Sequence, residues 1–321
     1  MEGMHRAKTF KNLDPAYRSP GRHAAWRFVL RRISRRLSLK MVGVENLLAD
    51  AMPENPWAGH HEPGKNRATW VGHSTVLCSQ DGSHYLTDPM FSDHAGPFRY
   101  MGPRRYTPPA LRLESLPKID FVLISHSHYD HLDLKSVRAI SRRDDPLFLV
   151  PEGLGRWFRA RKIGNVVEVP WWKEYRIGQL TVIGVPSQHY SVRTLWDRNK
   201  SHWCGWVVKG EKTFYYPGDT GYGHFFKRIG EKFGPMDLAA MPIGAYAPQV
   251  TIKSNHINPE EALDVLSDVG GRKMLAVHWG TFDLTEEPFD EPPLRLAAEA
   301  NRRGLKEGMV NVIRIGETIY W

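Results

Sequence analysis

Cysteine is nearly missing from this chain: Cys78 and Cys204 are the only two among 321 residues. They lie far apart without CxxC spacing, which excludes a disulfide framework and a closed thiolate zinc site and favours a reducing compartment. Apolar runs of about 20 residues, the length that crosses a bilayer, are missing as well. No secretory leader is read at the N-terminus, because arginines interrupt its apolar residues. Internal repeats and low-complexity tracts are absent. Acid is scarce in residues 1–40, where Glu2 and Asp14 face eleven Lys or Arg. This stretch accounts for the whole formal charge of +9, so the remaining residues balance. The body is electrostatically ordinary, while the arm is drawn to an anionic surface.

What is present is apolar and aromatic. Hydrophobic residues make up 41% of the chain and eleven are Trp, enough for a sizeable core. In the arm, Trp26, Val29, Leu30, Ile33 and Leu37 fall at helical spacing, with Arg27, Arg31, Arg32, Arg35 and Arg36 on the other faces. That pattern predicts an amphipathic helix lying in a membrane interface. A helix docked on the body and an Arg-rich organellar transit segment are the alternatives. Pro53, Pro56, Gly59, Pro63 and Gly64 form a linker-like passage, so residues 1–50 read as a basic extension and 51–321 as the main domain.

From Thr69 a hairpin is expected, with TWVGHSTVLC, a turn at Asp81 and Gly82, then HYLTDP. LFLV, VVEV, LTVIGV, WVVKG, TFYYPGD and MLAVHWG read as strands, and GLGRWFRARK and PLRLAAEANRRG as helices. Another helix is expected at NPEEALDVLSDV, capped by Asn258 with Pro259 in its first turn and ending at Gly270 and Gly271. VNVIRIGETIYW reads as a closing strand pair.

The densest chemistry follows the apolar run Ile119 to Ile124, where ISHSHYDHLD places His126, His128, Asp130 and His131 within six positions. In an extended chain, residues two apart share a side, so His126 and His128 can serve one metal while Asp130 and His131 turn toward a second. Packing alone does not require such a cluster, and burying it is costly unless it coordinates something. The other ligands are expected where strands give way to loops: His189 in PSQHY, Asp219 in PGDTGY and His278 in AVHWG.

Together WVGHST, LTDPMFS, ISHSHYDHLD, PSQHYSVRTLWDRNK, PGDTGY, FGPMDLAAMPIGAY, NPEEA and AVHWGTFDLTEEPFDEPP resemble the metallo-β-lactamase superfamily. Within it they resemble the branch of N-acylphosphatidylethanolamine-hydrolysing phospholipase D, from about Asn55 to Leu305. HxHxDH alone marks only the superfamily; the strings after His189 and around His278 point to the branch. The resemblance implies an α/β fold, a four-layer αββα sandwich, with two zinc ions in a cleft between the sheets. His126, His128 and His189 would hold the first metal and Asp130, His131 and His278 the second, with Asp219 bridging. Iron and manganese fit the same ligands.

The resemblance further implies a catalytic set of Asp130, Asp219, His256 and Asp88. His256 would contact the substrate phosphate or leaving oxygen, and Asp88 would orient a ligand His or the nucleophile, with His73 as another such partner. Tyr190 stands where the animal enzymes are expected to carry Trp, and Ser127 and His224 occupy variable slots. The implied reaction converts N-acylphosphatidylethanolamine to N-acylethanolamine and phosphatidic acid, in a cytoplasmic protein peripherally bound to anionic membrane, with organellar targeting open. Hydrolysis of another substrate on the same site, such as a lactone or nucleic acid, is the alternative, since fold does not fix function. Nucleic acid is the less favoured partner of the arm, and a homodimer stays open.

Overall fold

The computed structural model describes residues 8–15, 17 and 65–321. The helix expected at Trp26 to Leu37 and the boundary at residues 50 and 51 lie outside the described residues. Strands β1 (Arg67–Gly72), β2 (Thr75–Gln80), β3 (Ser83–Thr87), β4 (Phe121–Leu123), β5 (Leu147–Val150) and β6 (Val166–Glu168) build one sheet. Strands β7 (Glu174–Ile177), β8 (Leu180–Val185), β9 (Gly205–Lys209), β10 (Thr213–Tyr216), β11 (Leu238–Pro242), β12 (Met274–Val277) and β13 (Val310–Asn311) build the other. The last strand, β14 (Thr318–Tyr320), returns to the first sheet. The orders are β14-β1-β2-β3-β4-β5-β6 and β13-β12-β11-β10-β9-β8-β7. Each sheet is antiparallel in one half and parallel in the other.

Alternation along the strands decides which core each side chain enters, because successive side chains point to opposite faces. Ala68, Trp70, Val76, Cys78, Tyr85, Phe121, Leu123 and Leu149 face the second sheet. The intervening Val71, Leu77, Leu86, Val122, Phe148 and Val150 face outward, where Val137 and Ile140 of helix Leu134–Asp144 cover them. On the far side, helices Phe225–Phe233 and Pro259–Asp268 bury Phe226, Ile229, Ala262, Leu263, Val265 and Leu266 against the second sheet. The result is the αββα order that the resemblance implied. Between the sheets Tyr85 meets Phe214 edge-on at 5.8 Å, and truncating a buried Phe such as Phe214 to Ala costs about 3–5 kcal/mol.

Three expectations change. The opening hairpin is a three-stranded meander, because Gly72 (φ 134) and His73 (φ 52) turn the chain inside WVGHST. The closing strands do not pair with each other: β13 joins β12, while β14 crosses to β1. Strands β7 and β11 were not anticipated. EYRI is half-exposed and LAAMP ends in proline, so neither carries a strong alternating signal. The helix at Asn258 begins as expected, with a capping box in which Asn258 and Glu261 satisfy each other's backbone amides.

Candidate metal centre

Five strand ends converge on one cleft. Strand β4 ends two residues before the HSHYDH loop, β10 leads to Asp219, β12 to His278, β8 to His189 and β3 to Asp88. Open α/β sheets expose reactive groups at the carboxyl ends of strands because the sheet fixes the backbone and the loop frees the side chain. Three of the residues here adopt the left-handed region that non-glycine residues avoid: His73 (φ 52), Asp88 (φ 34) and His278 (φ 63). Such strain persists only where the surroundings impose it, and it gathers at functional sites. Gly218 (φ 64) precedes Asp219, and a Cβ there would lie 2.7 Å from Ser125 Cβ. Only glycine lets this turn press Asp219 so close to the HSHYDH strand.

Three groups of donor atoms form among the described residues, each within 4.8 Å: His126, His128, His189 and Asp219; His73, Asp130, His131 and His278; and, deeper, Asp88 with His126 and His131. In the first, His128 Nδ1 lies 2.8 Å from His126 Nε2 and 3.1 Å from His189 Nε2. In the second, His131 Nε2 lies 3.2 Å from His278 Nε2. Asp219 stands between them. Its carboxylate is 3.2 Å from His131 Nε2 and 3.0 Å from His278 Nε2, and 3.9 Å from both His126 Nε2 and His189 Nε2. Asp130 Oδ2 lies 3.1 Å from His73 Nε2 and 3.4 Å from His131 Nε2. The structure thus brings together all seven residues expected as ligands and adds His73 to the second group.

The donor set fits metal ions. Tetrahedral nitrogen ligands about 2.0–2.1 Å from zinc sit roughly 3.3 Å from one another, close to the spacings here. The opposite ring nitrogens are largely fixed by the protein: His126 Nδ1 by Ser125 Oγ at 2.9 Å, His131 Nδ1 by Asp88 at 2.7 Å and His189 Nδ1 by the Asn255 carbonyl at 3.0 Å. Such outer partners set the tautomer and aim the free nitrogen inward. Buried Asp219 Oδ1 accepts no hydrogen bond among the described residues, an expense explained by a cation beside it.

The electrostatics agree. Burial pushes His126 and His189 well below the usual imidazole range and His128 down to about 4, so these rings are neutral at pH 7, the form that can coordinate a metal. Burial also works to raise Asp130 and Asp219, yet the surrounding imidazoles hold both well below the usual carboxylate range. Only His131 is raised: burial opposes its charge, but Asp219 and Asp130 together outweigh it. Two buried carboxylates held in the ionised form mark a place that demands positive charge.

His256 lies beside the groups, with Nδ1 3.9 Å from Asp219 and its ring 5.1 Å from that of His189. Asp88 sits deeper. Its carboxylate accepts from Ser125 N and Oγ, His131 Nδ1 and Tyr216 Oη, which fills its capacity and makes it the residue that holds His131. Sequence reasoning missed Tyr216, Asn255 and Asn12. Asn255 acts through a backbone carbonyl, which no side-chain motif records, whereas Tyr216 stands three residues before Asp219 on an identified strand.

Residues 83–279 match the Beta-lactamase superfamily domain. The chain is 41% identical over 288 residues to N-acyl-phosphatidylethanolamine-hydrolyzing phospholipase D 1 of Caenorhabditis elegans, covering 85% of this chain and 79% of the relative. The chain belongs to this family of metal-dependent hydrolases. The Saccharomyces cerevisiae protein named N-acyl-phosphatidylethanolamine-hydrolyzing phospholipase D, mitochondrial, is 39% identical over 247 residues, 74% of this chain and 53% of its own length. Among solved structures, the metallo hydrolase Igni18 from the archaeon Ignicoccus hospitalis superposes with a TM-score of 0.61 at 22% identity, over 80% of this chain and 98% of that one. An isothiocyanate hydrolase from Delia radicum gut bacteria gives 0.64 at 20%, over 79% and 98%. At such identities these two show the fold alone, over nearly the whole of each neighbour and about four fifths of this chain.

Proposed function

We propose that this hydrolase is a dinuclear zinc phosphodiesterase of the phospholipase D type, converting N-acylphosphatidylethanolamine to N-acylethanolamine and phosphatidic acid. The observation that carries the reading is the position of the Asp219 carboxylate, shared between two histidine groups. His126, His128 and His189 would hold one ion, Asp130, His131 and His278 the other, and Asp219 both. Bound there, the metals would activate water near neutral pH and offset charge on the phosphoryl oxygens.

The remaining chemistry belongs to the chain's own side chains. Burial brings His256 down to about 4, so at pH 7 it is a neutral imidazole. It can donate a hydrogen bond to the departing oxygen from the edge of the cleft. Asp88 keeps His131 aimed, and Asp130 is steadied by His73.

A lipid substrate is supported by two loops beside the centre. Arg193 ties one loop to the carbonyls of Ser127 and Leu132 in the HSHYDH segment, leaving Leu195 88% and Trp196 81% exposed. Ala95 of the other packs with Met90 and Phe282 against Tyr129 of the same segment, leaving Phe98 and Tyr100 in solvent. Exposed apolar side chains this close to a site fit an interface with acyl chains. Among the described residues no helix is long and apolar enough to cross a membrane. The reading therefore places the enzyme peripherally on anionic lipid, helped by the basic arm. The test is incubation of zinc-loaded protein with N-acylphosphatidylethanolamine, a lactone and RNA. Mass spectrometry should find N-acylethanolamine and phosphatidic acid as the fastest-formed products, and their absence would refute the assignment.

A further inference from the structure

Residues 8–15 and Tyr17 bear on the candidate metal centre. Asn12 pairs its side-chain amide with the backbone of His189 in both directions: Asn12 Nδ2 donates to His189 O at 2.8 Å, and His189 N donates to Asn12 Oδ1 at 3.0 Å. Trp203 Nε1 donates to the same Oδ1 at 2.9 Å, so the buried indole fixes the amide's orientation. Further along, Tyr17 Oη donates to Asn255 Oδ1, and the carbonyl of Asn255 is the partner of His189 Nδ1. Backbone and ring of one candidate ligand are thus both tied to this segment, the ring through Asn255.

The rest of the segment is docked accordingly. Phe10 is buried and stacks on His202 at 4.6 Å, its amide donates to the Asn199 carbonyl, and Lys8 pairs with Glu152. The need for such a clamp follows from topology. His189 lies in residues 186–204, a connection between β8 and β9 with no helix or strand of its own. Loops of this length do not hold a side chain unaided, and metal ligands must be placed to within a few tenths of an ångström.

We propose that residues 8–15 with Tyr17 form a strap in which Asn12 is a positioning residue for His189, setting the affinity of the metal group His126, His128 and His189. The proposal rests on those three residues being ligands. Outer-shell partners of this kind change metal affinity about 10–100-fold. The test uses the full chain loaded with zinc, dialysed against graded chelator, with bound zinc counted by elemental analysis beside thermal midpoints and circular dichroism. Asn12→Ala should release one zinc equivalent at about 10–100-fold lower chelator strength while retaining the second. Asn12→Asp keeps the acceptor for His189 N but sets a second, charged oxygen against the His189 carbonyl, so a shift in the same direction is expected and the variant serves if the alanine form does not fold. Leu296→Ala, a buried core position in neither the strap nor a metal group, should lower the thermal midpoint and keep both equivalents. Wild-type protein that takes up no zinc removes the metal reading beneath the proposal. Wild-type protein with two equivalents and Asn12 variants of equal retention, or Leu296→Ala matching Asn12→Ala in zinc loss, overturns the strap alone.

Discussion

Two regions deliver histidines to the same cleft by opposite means. His126, His128 and His131 come from one short loop at the end of a buried parallel strand, and the fold fixes them locally. Leu132 N bonds back to the His128 carbonyl, and Asp133 caps the helix that follows. His189 comes from a long irregular connection and is held by Asn12 and Asn255, residues remote in sequence. The local loop is readable as a motif and His189 as a residue at a strand end, but the distant contacts that hold His189 are not.

The largest effect should come from the residue that serves both regions. Asp219→Ala is expected to reduce turnover by about a thousandfold, the upper range for losing one electrostatic group, and to lower bound zinc; turnover and metal content unchanged would show that the two groups are independent of it. His256→Ala should come next, with a kcat loss of about a hundredfold, typical of a lost acid–base or hydrogen-bonding partner, and full zinc retention. A KM change without a kcat change would instead make His256 a binding residue only.

Asp88→Asn probes the locally fixed side. It keeps the volume but supplies an N–H where four donors already converge, so zinc affinity should fall about tenfold, measured by chelator competition. Equal affinity would mean His131 is aimed by its loop alone.

Acid probes both regions at once. In the metal-free protein His128 and His256 are lowered to about 4, whereas an unfolded histidine titrates near 6.5. Between those values the unfolded chain binds more protons, so stability should be full above pH 6.5 and fall as pH drops toward 4. His131, raised by its carboxylates, contributes in the opposite sense above 6.5. Thermal midpoints after chelator treatment should therefore decline from pH 7 to 4.5, and a flat profile would contradict the buried neutral rings. The smallest effect concerns the arm: replacing Arg31, Arg32, Arg35 and Arg36 with Gln should weaken sedimentation with anionic vesicles and spare cleavage of a soluble phosphodiester. Unchanged sedimentation would take the arm out of membrane docking. A blunt deletion of residues 1–40 would confound this test, because it also removes Asn12.

Most of the fold was legible where periodicity was strong. The alternation in β1 to β5 and the capped helix at Pro259 were visible because burial and capping write themselves into residue type. The turn at Gly72 and His73, the half-exposed β7 and the separation of β13 from β14 were not, since long-range pairing decides them. At the centre the donor residues were readable, while the backbone carbonyl of Asn255 and the clamp of Asn12 left no local pattern.

The central claim, two metal ions sharing Asp219, is tested most directly by anomalous diffraction from zinc-loaded crystals. The account predicts two zinc peaks flanking the Asp219 carboxylate, one against His126, His128 and His189 and one against Asp130, His131 and His278. A single peak, or zinc bound away from Asp219, would contradict it.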